Sequence, residues 1–274
     1  MTLYEEELPS EYFGLNLDLE KYLVDIPVKC PYGLGFTAIY RQALFGPLPD
    51  ELFEYFLKSG FRRNGNCLYS MACRDCNDCI SIRLHPEEFE PNRNQKRVLK
   101  KNRDVIVKIE ALQFTEEKMA LCNKFLSRRY PGRGNTAEDY YAGFFINNIT
   151  STFEVQYLID NRLLGVAIID LGRNWVNAVY FYFDPDEEGR SPGTFNILNL
   201  INFCRDAGVR NLYLGYWIND VTSMNYKANF RPNYLLAGGK WLSSEDFGAK
   251  GIKLRGYGAA ETVTARGRIR QDRR

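Results

Sequence analysis

An α+β fold with a mostly antiparallel sheet is predicted by three observations. Apolar runs rich in β-branched and aromatic residues span 153–159, 163–171 and 176–183, separated by Asp160-Asn161 and by Gly172-Arg-Asn174, which suit tight hairpin turns. A helix follows: residues 195–207 carry apolar side chains at 197, 198, 200, 201, 203, 204 and 207, and Gly208 stops it. A strand at 212–217 then returns to the sheet.

The earlier part of the chain supplies further elements. Residues 50–58 place apolar side chains at 52, 53, 56 and 57, a helical spacing that ends before Gly60. The run Ile80-Ser-Ile-Arg-Leu84 alternates apolar and polar, as a half-buried strand does. Helical patterns recur at 116–129 and, rich in aromatics, at 139–146, with Tyr130-Pro-Gly-Arg-Gly between them. Three units are expected: 1–104, 105–242 and a basic, flexible tail over 243–274. In the second unit an antiparallel meander leads through Arg190-Ser-Pro-Gly-Thr194 into a helix and a returning strand. That is the order of an N-acetyltransferase-like fold, and the backbone N–H groups opening such a helix suit an anion.

Composition narrows the chemistry. Among 274 residues, 45% are hydrophobic and 26% charged, ordinary for a globular chain, and the apolar stretches are too short and too interrupted to span a bilayer. The acidic start, Met1-Thr-Leu-Tyr-Glu-Glu-Glu, is unlike a signal peptide, so a cytoplasmic location is expected. There is a single histidine, His85, which excludes two-histidine metal sites of the HExxH type within the chain. No GxSxG-like elbow accompanies it for a nucleophilic triad. An enzyme of this composition would work with carboxylates, phenols, lysine or a substrate's own reactive group.

Two clusters stand out. Arg93, Lys96, Arg97, Lys100, Lys101 and Arg103 lie within eleven residues that contain no acid. In a helix, all but Arg103 share one face, a stripe suited to tracking the phosphates of a nucleic acid. The formal charge of +2 hides this, because the basic residues are concentrated rather than numerous. The seven cysteines are expected to be reduced, yet Cys73-Arg-Asp-Cys76-Asn-Asp-Cys79 is a double CxxC. With Cys30 as a fourth ligand it could hold zinc or an iron–sulfur cluster; free thiols in a cysteine-rich turn are the alternative.

The order of motifs resembles the arginyl-tRNA–protein transferase family, in its bacterial leucyltransferase branch. The resemblance is carried by Cys30-Pro-Tyr, Gly60-Phe-Arg-Arg-Asn-Gly65 with Leu68-Tyr69, Cys73-x-x-Cys-x-x-Cys79, and Phe89-Glu-Pro before Asn94-Gln-Lys-Arg-Val-Leu-Lys-Lys-Asn102. It continues through Val179-Tyr-Phe-Tyr-Phe-Asp-Pro185, Arg190-Ser-Pro-Gly-Thr194, Leu214-Gly-Tyr-Trp-Ile218, and Met224-Asn-Tyr-Lys227 with Phe230-Arg-Pro. Pro192 and Asn225 stand where many relatives have Leu and Asp.

The resemblance implies an aminoacyltransferase that takes leucine, or alternatively arginine, from its tRNA and joins it to a protein beginning with Asp or Glu. Aminoacyl-tRNA is then a co-substrate, and no other cofactor is required for the chemistry. The ester is already activated, so no enzyme nucleophile is needed, and the acceptor α-amine has a pKa of about 7.7–8.0. Asp184 is expected to orient or deprotonate that amine, while Tyr216 and Tyr226 donate to an oxyanion or leaving oxygen. Lys227 would meet the acceptor's acidic side chain or the tRNA terminus. Arg62 and Arg63 offer forked donors for a carboxylate or phosphate. Arg190, Ser191 and Thr194 would hold the acceptor end of the tRNA, and the 93–103 stripe its stem. An acetyl-CoA-dependent acetyltransferase would leave the stripe and the cysteines unexplained; a metal-stabilised RNA-binding module without catalysis would leave the second unit unexplained.

Overall fold

The computed structural model describes residues 19–249; the acidic start, residues 1–18, and the basic stretch from residue 250 onward lie outside it. The first strands are β1 (Val24–Lys29), β2 (Thr37–Leu44), β3 (Arg62–Asn64) and β4 (Cys67–Met71), with helix α1 (Asp50–Lys58) between β2 and β3. They form an antiparallel sheet of order β1-β2-β4-β3. Helix α1 follows its pattern: Leu52, Phe53, Tyr55, Phe56 and Leu57 are buried, and Phe53 stacks on Trp175 with centroids 5.1 Å apart. Trp175 belongs to the second sheet, so α1 joins the two sheets through one apolar cluster.

The second sheet has eight strands in the order β12-β11-β5-β10-β9-β8-β7-β6. Its members are β5 (Ile80–Leu84), β6 (Ile106–Ala111), β7 (Thr152–Ile159), β8 (Arg162–Leu171), β9 (Trp175–Phe183), β10 (Asn211–Trp217), β11 (Tyr234–Ala237) and β12 (Lys240–Ser243). The hairpin at Asp160 and Asn161 has φ of 49° and 61°, the paired left-handed geometry that its sequence favours. Among the described residues only β9 and β10 pair in parallel. Helices α2 (Arg93–Lys101) and α5 (Pro192–Asp206) pack together, and α5 shares the larger apolar cluster with the sheet. A second cluster joins α3 (Glu116–Arg129) and α4 (Ala137–Tyr140), which runs into a π-type turn over Tyr141–Phe145, to β8 and β9. The antiparallel meander, entering helix and returning parallel strand agree with the N-acetyltransferase-like order expected.

Strand β5 departs from the half-buried reading. It pairs with β10 on one edge and β11 on the other, and residues on both of its faces, Ser81 included, are buried. Its alternation persists because Ser81 is small and its hydroxyl donates to the Gly60 carbonyl at 3.4 Å. The tail expected to be flexible from 243 begins instead as α7 (Ser244–Ala249), because Phe247 finds a place in the core. Before α7 come β12 and the short helix α6 (Thr222–Asn225).

Candidate active site

β9 and β10 pair only over residues 211–213 of β10. Beyond that point β10 shifts register against β5 between Tyr213 and Tyr216, around Gly215, whose φ is +81°. β9 continues with β8 as its sole partner. Residues 178–181 therefore remain half-buried although they lie in the middle of the sheet. Two parallel strands part here with a helix N-terminus following one of them, the place where sheets of this kind take ligands.

Three predicted residues converge on the Gly215 bulge. Gly60, with φ of +88°, turns the chain out of α1 and into β3. Arg62 then donates from Nη1 to the Phe61 carbonyl and from Nη2 to the Gly215 carbonyl, each at 2.9 Å. Its Nε is buried without a hydrogen-bond partner. Lys227 Nζ donates to the Tyr216 carbonyl at 2.9 Å. A Cβ at residue 215 would stand 3.6 Å from Lys227 Nζ and 3.8 Å from Arg62 Nε, so both cations flank a position that glycine keeps open. Loss of solvent, and secondarily the Arg62 charge, press Lys227 down to about 7. Neither cation forms an ion pair among the described residues.

Aromatic side chains wall this cluster. The Arg62 guanidinium lies 5.4 Å from the Tyr216 ring centroid, and Tyr69 meets Tyr216 edge-on. Burial lifts the phenols of Tyr216, Tyr69 and Tyr32 well above their ordinary range, so they stay neutral. Tyr216 does not offer a free hydroxyl, because its Oη donates to the Gly60 carbonyl at 3.2 Å. Its part is to hold Lys227 through its own carbonyl.

The other expected groups lie in different settings. Arg63, next to Arg62 in β3, points the opposite way, as neighbours in a strand do, and is bound to Asp170. It is a core ion pair and is not available to a substrate. Asp184 accepts from Lys124 Nζ at 2.6 Å, Arg162 Nη1 at 2.9 Å and the Asp186 N–H at 3.0 Å. Burial raises this carboxyl, but the Lys124 hydrogen bond, the Asp186 N–H and the charges of Lys124 and Arg162 outweigh it and hold it below the usual range. A carboxylate so satisfied is a weak base; here it caps the turn after β9.

At the start of α5, Ser191 has φ of 56° and its side chain leaves the helix uncapped, with Pro192 in the first turn. Tyr226 Oη lies 3.6 Å from where a Cβ on Gly193 would stand and has no hydrogen-bond partner among the described residues. Burial pushes this phenol up to about 12 against the pull of Arg129. Arg129 belongs to none of the sequence motifs; its one signal is a cation at the C-terminal end of a helix, just before Tyr130-Pro-Gly. Thr194 lies in the first turn of α5. Arg190 serves as an anchor, bound to Asp104 at 2.9 and 3.0 Å and to the Lys101 carbonyl at 3.2 Å.

Helix α2 begins with a reciprocal cap between Asn92 and Gln95 and turns Gln95 and Asn102 inward. Arg93, Lys96, Arg97 and Lys100 line a shallow surface concavity. None of the six predicted cations makes an ion pair among the described residues. Lys101 Nζ donates to the Gly189 carbonyl, and Asn102 Nδ2 to the Arg190 carbonyl at 2.9 Å. The stripe is thus fastened at its C-terminal end to the loop that opens α5.

The four predicted cysteine ligands share one neighbourhood. Burial, and then Cys73, Cys76 and Cys30, push the Cys79 thiol up, and the Ile39 N–H points to Cys73 Sγ at 3.4 Å. Among the described residues, however, no group of three or more His, Cys, Asp or Glu side chains is arranged to hold a metal ion.

A meander, a helix opened by an uncapped turn, a parting strand pair and a basic stripe define an acyltransferase-like chain suited to a polyanionic donor. The family model described as "Arginine-tRNA-protein transferase, N terminus" matches residues 28–97, and that for the C terminus matches residues 117–237. The chain is 34% identical over 195 residues to an aspartate/glutamate leucyltransferase of Hahella chejuensis, covering 70% of this chain and 83% of that protein. It is 34% identical over 203 residues to the protein of the same name from Pseudomonas putida, covering 72% and 85%. The chain belongs to the arginine-tRNA–protein transferase family and is an aminoacyltransferase. Among solved structures it matches L-PGS from Bacillus licheniformis with a TM-score of 0.40 and 10% identity, over 67% of this chain and 55% of that one. No helix among the described residues is long and apolar enough to cross a membrane.

Proposed function

We propose that this chain transfers leucine from Leu-tRNA to the α-amine of proteins beginning with Asp or Glu, marking them for degradation in the cytoplasm. The observation that carries this reading is the pair Arg62 and Lys227, two basic side chains facing Gly215 with no carboxylate among the described residues paired to either. An acceptor's acidic side chain is the missing counter-charge. The names of the relatives support leucine as donor and Asp or Glu as acceptor.

In this reading the acceptor stem lies along α2, and the terminal ribose comes to the first turn of α5. The amine attacks the ester carbonyl, a carbon–nitrogen bond forms, and the carbon–oxygen bond to the ribose breaks. The amine gives up one proton and the ribose oxygen gains one. The Tyr226 hydroxyl, protonated at neutral pH, donates to the developing oxyanion or to the departing oxygen. Neither Asp184 nor a metal is needed, because the amine is partly unprotonated at neutral pH and the ester carries its own activation.

Transfer of labelled amino acid from Leu-tRNA or Arg-tRNA to an Asp-initiated peptide is the direct test, with no transfer from either as the result that overturns it. Replacing Lys96, Arg97, Lys100 and Lys101 together by Ala should raise KM for tRNA far more than KM for peptide. It should also flatten the log–log salt dependence of tRNA binding by about one unit per phosphate contact removed. An unchanged salt slope would remove α2 from the tRNA path.

A further inference from the structure

The groups facing Lys227 come from several elements. Arg62 comes from β3, the Tyr216 carbonyl from β10, and Met224 from α6 with its sulfur 3.9 Å from Nζ. Tyr69 of β4 and Tyr32, between β1 and β2, surround Arg62. The phenols are neutral, the guanidinium is a like charge, and no carboxylate among the described residues pairs with either cation. The two hydrogen bonds Lys227 makes, to the Tyr216 carbonyl and to the Met224 sulfur, need two N–H groups, which a neutral amine also supplies.

We infer that binding of the acceptor's side-chain carboxylate between Arg62 and Lys227 places a proton from solvent on the Lys227 amine, so that selection of an acidic N-terminus is proton-coupled. The inference rests on the acceptor reading above. In the empty site, desolvation and the Arg62 charge both oppose the ammonium. A carboxylate entering beside Nζ reverses the balance, since it supplies opposite charge and a charge-assisted acceptor. The proton leaves a buffer acid, the new N–H bond forms on Nζ, and the complex holds two cations against one anion. An uncharged Asn side chain supplies no such field and recruits no proton.

Between pH 7 and the raised value in the complex, affinity for an Asp-initiated peptide should therefore fall by up to tenfold per pH unit, relative to an Asn-initiated one. Referring Asp to Asn removes the titration of the peptide amine, which both share. Titration calorimetry of the full chain with the two tetrapeptides at pH 8.5, in buffers of different ionisation enthalpy, counts the protons. The expected result is close to one more proton taken up for Asp than for Asn. Lys227→Met should abolish the difference and weaken Asp binding. Lys227→Arg, charged at every pH, should bind Asp with no extra proton. If Asp is preferred and the preference depends on Lys227, yet proton uptake is equal for both peptides, the coupling is overturned while the acceptor reading stands. If Asp is not preferred to Asn, or neither peptide binds, the acceptor reading itself fails and the coupling with it.

Discussion

Arg63→Met is expected to lower the melting temperature by roughly 6–20 °C, from a loss of about 3–5 kcal/mol at about 2–4 °C per kcal/mol. The Arg63 and Asp170 side chains are both fully buried, with Nη2 2.8 Å from Oδ1. Nε donates to both carboxylate oxygens, at 3.0 and 2.9 Å, while Thr152 Oγ1 and Asn177 Nδ2 complete the acceptor at 2.7 and 2.9 Å. Nη1 closes on the Phe144 carbonyl at 2.7 Å, where the π-type turn ends. Methionine keeps the volume but leaves the Asp170 carboxylate in the core without its cation. The double variant Arg63→Met with Asp170→Leu removes both charges and should recover most of the loss. At a temperature where the single variant is folded, its preference for Asp over Asn should equal that of the parent chain. A small shift in melting temperature, or a lost preference, would return Arg63 to the acceptor site.

The pair Arg62 and Arg63 shows where the sequence stops being readable. Two adjacent arginines in a strand must face opposite ways, so only one can reach a substrate, but the pattern does not say which side holds Asp170. That information lies 107 residues away. Asp184 is the same case: at a strand end before proline it looks free, and its cations come from 60 residues before it and 22 before it. Local pattern did carry α1, α3 and α5, which repeat at the helical period, and the β7–β9 meander and β10, whose strands read as apolar runs because β8 and β10 are buried on both faces. Strands β1 and β6 are exposed along their whole length and leave no such imprint. The spacing of Cys73, Cys76 and Cys79 shows that they are close, which chain connectivity ensures. It cannot show that their sulfurs converge.

Replacing Arg62 carries the larger functional effect. Arg62→Met is expected to lower kcat/KM for Asp- and Glu-initiated peptides by about one to two decades, the 1.5–3 kcal/mol of a lost charge-assisted pair. Peptides beginning with Asn or Ala should stay as poor as they are with the parent chain. The guanidinium is well placed for this part: two of its nitrogens are held by the Phe61 and Gly215 carbonyls, and the third nitrogen, Nε, has no partner. A donor fixed by two backbone carbonyls is pre-organised, so little side-chain freedom is lost when a carboxylate arrives. Removing it also frees two buried carbonyls, so the variant will be less stable, and the absolute rate will mix folding with recognition. The ratio of kcat/KM for Asp to that for Asn is independent of the folded fraction and is the quantity to measure. Arg62→Lys tests the geometry further, because it restores the charge without the planar fork and should recover only part of the ratio. A ratio that Arg62→Met leaves intact would mean that Lys227 alone reads the carboxylate, and that Arg62 serves only to bind β3 to the Gly215 bulge.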